Sequence, residues 1–250
     1  MEITALNNDN VKFCVKLQKK KFRDETGLFL LEGSKSVLEA VEFGVKLKSI
    51  FVLKEKAEKY NFTDVETFET TNAVLKKIST TDSAPEIVGV AYQKEQNFDV
   101  LKTAKKVVLL ENVSDVGNLG TVIRSSVAFN IDVIILYGQS VDIYNPKCVR
   151  STVGNLWKTN ILEMNSVDEL DKYFKDFEKV ATLPKNDSTV MFNNWTPNQK
   201  TLVMFGSEAD GLSDELIKYS TMGLTIEMND RVESLNLGVS ASIVMHKLGF

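Results

Sequence analysis

Five short apolar runs in the second half of the chain, at residues 107–110, 133–136, 180–182, 202–205 and 224–226, are each followed by a polar loop and an amphipathic segment. No other feature constrains the fold as tightly. Runs that lack in–out alternation belong to strands buried on both faces, and the intervening helices supply the cover, so a mainly parallel α/β sheet with helices on both faces is expected. Ligands of such sheets bind beyond the carboxyl ends of the strands, so the loops there should carry the chemistry.

The first half reads as a smaller α/β unit: a basic helix, then LFLLEG at 28–33, an amphipathic stretch at 35–43, a strand at 49–53, a helix at 72–78 and a strand at 87–92. The polar stretch after it lacks periodicity. We therefore expect a first domain over 1–95, a linker over 96–105 and a second domain over 106–250.

Composition excludes several classes. With 43% hydrophobic and 26% charged residues over 250 positions the chain is globular. It has no run of the ~18 to 20 apolar residues that a membrane span needs, and MEITALNNDN lacks a basic-then-apolar leader, so a cytoplasmic protein with no membrane partner is expected. Cys14 and Cys148 lie in no CxxC or Cys/His cluster, and His246 is the only histidine, so neither a metal site nor a Ser/His/Asp triad is expected.

A net charge of -4 argues against holding nucleic acid by bulk charge. Yet six basic residues and no acidic ones fall between Val11 and Arg23, and Lys12, Lys16, Lys19, Lys20 and Arg23 recur at helical spacing. That stripe is either a solvated helix face or a surface for RNA phosphates.

Three loops carry the remaining candidates. After 107–110 the chain reads ENVSDVGNLGTVIRSSVAF, where Gly117 and Gly120 free the backbone around Asn118, and a helix over 119–129 buries its apolar residues while Arg124 projects elsewhere. A tight turn with a surface arginine explains that loop more simply when it is taken alone. After 202–205, GSEADGLS sets Gly206 and Gly211 around Glu208, so backbone amides can approach a ligand beside a carboxylate, and Ser213 reads as a helix cap. The acidic loop, without GxxxxGK[ST] or GxGxxG, argues against a phosphate cradle. After 224–226, a polar loop ending at Ser234, which reads as its cap, opens into a helix of small residues containing Asn236, Gly238 and Ser242. Another backbone, from this chain or a second subunit, can pack closely on that face.

In order, GNLGTVIRSSVAF, LVMFGSEADGL and VESLNLGVSAS resemble the three motifs of the SpoU/TrmH RNA methyltransferases. KKKFRDETGLFLLEGSKSVLEAV and APEIVGV resemble, more loosely, that family's L30e-like substrate-binding domain. The resemblance implies a SPOUT fold with a deep trefoil knot, which periodicity alone does not reveal. It further implies S-adenosylmethionine bound at the knot and a homodimer with a shared active site. Carried over by residue, it makes Asn118, Arg124, Glu208, Ser234 and Asn236 catalytic and lines the cofactor site with Gly206, Ile226 and Leu235, beside which Thr182, Gly211 and Met228 are further candidates. The chain departs from the family at Glu227 and Val116, where proline is usual, and at Ala209, Asp230 and Asn130, where glycine is usual.

The expected activity is S-adenosylmethionine-dependent methylation of a ribose 2'-hydroxyl in structured RNA, with ribosomal RNA favoured over transfer RNA. In-line displacement asks the protein mainly for alignment and needs no metal. The resemblance nominates Arg124 as base, but a guanidinium holds its proton tightly, so help from a substrate phosphate, or oxyanion stabilisation by Arg124, stays open. The rivals are a transfer-RNA ribose methyltransferase and a non-catalytic RNA-binding relative. The absent GxGxxG disfavours a dinucleotide oxidoreductase.

Overall fold

The first half of the chain builds a mixed five-stranded sheet. In the computed structural model, which describes residues 1–250, its elements are β1 (Glu2–Ile3), α1 (Asp9–Leu17), α2 (Lys20–Thr26), β2 (Leu28–Glu32), α3 (Ser34–Glu42), β3 (Leu47–Leu53), β4 (Glu66–Thr70), α4 (Asn72–Ile78) and β5 (Ile87–Tyr92). Strand order is β1-β4-β3-β5-β2, with β2 and β3 antiparallel to β5 and the other pairs parallel. Val11, Cys14 and Leu17 of α1 pack with Val74, Leu75 and Ile78 of α4 in one core.

The single basic helix expected here is two helices. Val11, Cys14 and Leu17 set the buried face of α1, and continuing that helix would carry Lys21 and Asp24 onto it. Instead the chain breaks at Gln18 and Lys19, where Lys19 is extended, and α2 starts afresh with Arg23 inward. Arg23 is 1% exposed; its guanidinium bonds Asp142 at 2.5 and 2.6 Å and the Leu17 carbonyl at 2.8 Å. This corrects the expectation for Arg23, which is an interior ion pair and not part of a phosphate-facing stripe.

The second half holds β6 (Lys106–Glu111), α5 (Val116–Ala128), β7 (Val133–Tyr137), α6 (Pro146–Ser151), β8 (Asn160–Met164), α7 (Val167–Phe174), β9 (Glu178–Thr182), β10 (Thr189–Met191), β11 (Thr201–Phe205), α8 (Asp214–Tyr219), β12 (Met222–Thr225) and α9 (Leu237–Gly249). Its seven strands are all parallel, in the order β10-β12-β9-β11-β6-β7-β8. Central strands β6, β7 and β11 are buried along nearly their whole length, as uninterrupted apolar runs require.

The chain divides into two units, Met1–Glu95 with Asp142–Trp157, and Gln96–Val141 with Lys158–Phe250. The stretch read as a linker therefore belongs to the second unit. It forms a short 3-10 turn, Phe98–Lys102, and buries Leu101 and Ala104 in that unit's core. The excursion Asp142–Trp157, which contains α6, folds with the first unit, where Arg150 pairs with buried Glu32 and Phe29 packs on Tyr144 and Trp157. No helix is long and apolar enough to cross a membrane.

Candidate active site

Within the second unit, β6 and β11 are neighbours, so the loops after them emerge side by side. The loop after β12 arrives from farther away. It passes β9 and β11 before its helix, α9, packs on α5.

Asp115 starts α5: its carboxylate accepts the Asn118 N–H at 2.8 Å, which places Asn118 in the first turn of the helix, not in the loop. Asn236, not Ser234, caps α9 by accepting the Val239 N–H at 3.3 Å. The helices run parallel and close, matching Thr121 with Gly238, Ser125 with Ser242 and Phe129 with Gly249. A Cβ on Gly238 would lie 3.0 Å from Thr121 Cβ, and one on Gly249 2.0 Å from the Phe129 carbonyl oxygen, so small residues permit the approach. Two helix amino termini thus lie together, and their aligned dipoles favour an anionic group.

The third part is a tight hairpin after β11. Ser207 and Gly211 exchange both backbone hydrogen bonds, at 3.1 and 3.0 Å, with Gly211 left-handed at φ +70°. Gly206 sits where a Cβ would be 1.9 Å from the Gly211 carbonyl carbon, so the hairpin closes only over glycine. At its base the Ser213 N–H donates to buried Glu111 at 2.7 Å, and Ser213 caps α8. Glu208 lies at the hairpin's tip and accepts from Asn118 Nδ2.

Asn118 is therefore fixed at both ends of its amide. Its Nδ2 donates to Glu208, and its Oδ1 accepts from Asn236 Nδ2 at 2.9 Å. Three of the five expected catalytic residues form one hydrogen-bonded chain from the α9 amino terminus to a carboxylate. Arg124 stands on the exposed side of α5, about 9 Å farther along the helix axis than Asn118 at 1.5 Å per residue. It makes no ion pair, which leaves it available to a ligand. Ser234 is exposed and outside the hydrogen-bonded chain.

The segment 226–235 satisfies few of its own backbone groups. Val232 N–H donates to the Asn229 carbonyl at 3.1 Å and Arg231 N–H to Asn229 Oδ1 at 3.0 Å. Thr182 is half-buried, and its hydroxyl donates to the Met204 carbonyl at 2.9 Å; Ile226 and Leu235 are half-buried and Met228 is exposed. Of the departures, Asn130 takes the left-handed backbone (φ +54°) that glycine would supply, whereas Asp230 does not. Sequence reasoning missed the anchors Asp115 and Glu111. Asp115 carried a legible signal, an aspartate three residues before Asn118.

The SpoU rRNA Methylase family model matches residues 105–246, and the MRM3-like substrate binding domain matches residues 8–89. A 23S rRNA (guanosine(2553)-2'-O)-methyltransferase of Bacillus subtilis is 28% identical over 99% of this chain and 98% of its own length. A 23S rRNA (uridine(2479)-2'-O)-methyltransferase of Streptomyces viridochromogenes is 24% identical over 98% of this chain and 90% of its own. The crystal structure of an AdoMet-bound rRNA methyltransferase from Sinorhizobium meliloti superposes with a TM-score of 0.88 at 27% identity, covering 99% and 97% of the two chains. With its three motifs converging on one glycine-closed, helix-capped centre, this chain belongs to the SpoU rRNA methylase family.

Proposed function

We propose that the protein transfers a methyl group from S-adenosylmethionine to a ribose 2'-hydroxyl of 23S ribosomal RNA. The observation that carries this reading is the Asn236–Asn118–Glu208 chain beside an unpaired Arg124. S-adenosylmethionine supplies an electrophilic methyl on a sulfonium. Gly206, Gly211, Thr182, Ile226, Met228 and Leu235 are the residues we assign to holding it.

Glu208 locks Asn118 by accepting its Nδ2–H, so Asn118 has no freedom to rotate and presents one fixed edge to a ribose. Arg124 faces the anionic side of the reaction. Its charge stabilises the ribose oxygen as the O–CH3 bond forms, the S–CH3 bond breaks to release S-adenosylhomocysteine and the hydroxyl proton passes to solvent, and five donors in a rigid fork can hold a neighbouring phosphate at the same time. We assign Ser234 to contact with bound RNA, since the protein itself offers it no partner. The two relatives methylate a guanosine and a uridine, so the base is not inherited with the fold.

The first unit is the RNA-binding unit in this reading; of the stripe's lysines, Lys19 and Lys16, the latter over the Phe22 ring at 5.6 Å, have no carboxylate partner. Lys12 and Lys20 are partly engaged, by Asp9 and Asp24 at 3.0 Å each. The threading implied by the motifs is a trefoil knot, in which the chain after β12 passes through the loops of the preceding strands.

The working form is a homodimer. Val239, His246 and Phe250 leave one side of the apolar helix α9 open to solvent, with Val239 46% and Phe250 81% exposed. Val239→Glu is expected to give a monomer by light scattering and to abolish methylation. A V239E protein that stays dimeric would place the interface elsewhere.

The deciding experiment is to delete the gene and map ribose methylation across all stable RNAs, then restore the missing mark in vitro with purified protein and S-adenosylmethionine. A mark lost from 23S RNA and restored is the expected result. Loss from transfer RNA would change the substrate, and no lost mark would overturn the activity.

A further inference from the structure

Glu227 stands where the family's motif usually has proline, directly after Ile226. Its carboxylate is not idle. Both oxygens accept the Asn193 N–H, at 3.2 and 3.4 Å. Asn193 is the middle residue of a single 3-10 turn, Phe192–Asn194, between β10 and β11. From the other side, Lys247 of α9 donates its ammonium to the Phe192 and Asn193 carbonyls at 2.6 and 3.2 Å and lies 4.7 Å over the Phe192 ring. The turn is itself a fixed post: Trp195, 3% exposed, follows it and donates its backbone N–H to the Met191 and Phe192 carbonyls.

Glu227 thus ties the start of the loop between Ile226 and Asn236 to the post, and Lys247, in the last turn of α9 and about 16 Å along its axis from Asn236, braces the same post from behind. Because the loop makes few hydrogen bonds of its own, its conformation depends on those ties. A proline would stiffen the same position by fixing φ. We propose that Glu227 is a positioning residue for the cofactor, acting with Lys247 to set the 226–236 loop in its binding conformation before S-adenosylmethionine arrives. This rests on the reading of Ile226, Met228 and Leu235 as cofactor-lining residues.

The test uses the whole protein. In Glu227→Ala, amide hydrogen exchange across 226–236 should rise in the cofactor-free protein. The Kd for S-adenosylmethionine by calorimetry should rise about 3- to 10-fold, as loss of an exposed charge-assisted hydrogen bond implies. KM for the cofactor should rise with it, while kcat at saturation and the melting temperature stay near wild type. Glu227→Pro should restore the affinity, because the Glu227 N–H has no acceptor to lose. Lys247→Met, which loosens the post from the other side, should move exchange and Kd in the same direction. Unchanged loop exchange and Kd in both Glu227→Ala and Lys247→Met would overturn the inference and leave the cofactor site standing. A wild-type protein that binds no S-adenosylmethionine would overturn the cofactor site and the inference with it.

Discussion

Arg124 is exposed and makes no ion pair, while Glu208 of the hairpin is engaged by Asn118. Arg124→Ala should therefore leave the fold and S-adenosylmethionine affinity intact while lowering methyl transfer by about 10²- to 10³-fold, the usual effect of removing an oxyanion-stabilising donor. Arg124→Lys should not rescue it, since an ammonium lacks the planar fork; calorimetry with single-turnover methylation checks both. The polar residues of this centre were legible because their motifs travel together in sequence. Arg23 was not, since its burial depends on Asp142, 119 residues away. Nor was the cluster at Glu86, which accepts from Lys59 at 2.7 Å and from Ser34 and Tyr60. The Lys59 ammonium, with the two hydroxyls, lowers the Glu86 carboxyl from 4.5 to about 2. A depressed carboxyl stabilises the fold above its unfolded value and stops doing so as pH falls through the folded one. Glu86→Gln should accordingly make thermal stability less steep between pH 4.5 and 2 than in the wild type, by calorimetry.

Among elements, the hairpin after β11 is the most intolerant of change. A methyl at Gly206 must displace Gly211 backbone, which has no flexible side chain to yield. Overpacking of that kind costs about 1–3 kcal/mol. Because the hairpin carries Glu208, Gly206→Ala should weaken S-adenosylmethionine binding by about 5- to 150-fold, the same 1–3 kcal/mol, and should also release Asn118, visible as lost protection of the Asn118 side-chain amide by NMR. Unaltered binding would mean that the hairpin opens without touching the cofactor. The central strands were readable because two-sided burial leaves an unbroken apolar run. β4 (ETFET) and β8 (NILEM) were not, since each has one face only partly covered and polar residues interrupt it. The α1–α2 break escaped the periodicity argument because lysine spacing describes the solvent side, whereas the core side decides where a helix stops. The α9 cap was misplaced by two residues, as Ser234 and Asn236 are equally good caps in isolation and only the folded chain shows that Asn236 accepts the Val239 N–H while its amide is held on Asn118.

At the scale of the molecule, a net charge of -4 repels a polyanion, so RNA affinity must come from local cations and must depend on salt. Lys16 and Lys19 are exposed without a carboxylate partner, while Lys12 and Lys20 are partly neutralised by Asp9 and Asp24. If the first two contact phosphates, Lys16→Gln and Lys19→Gln should each reduce the slope of log affinity against log salt by about 0.7 to 0.9, the counterion released per phosphate contact. Lys12→Gln should have a smaller effect, and none of the three should shift the melting temperature. Arg23→Gln separates the two readings of the basic segment. As a buried ion pair with Asp142, its loss should destabilise the first unit by about 3–5 kcal/mol, and RNA binding by the folded fraction should keep its salt slope. Filter binding of 23S fragments over a salt series, paired with urea unfolding, reads both quantities. An Arg23 variant of normal stability that binds RNA with a reduced slope would return that residue to the surface and refute the interior pair.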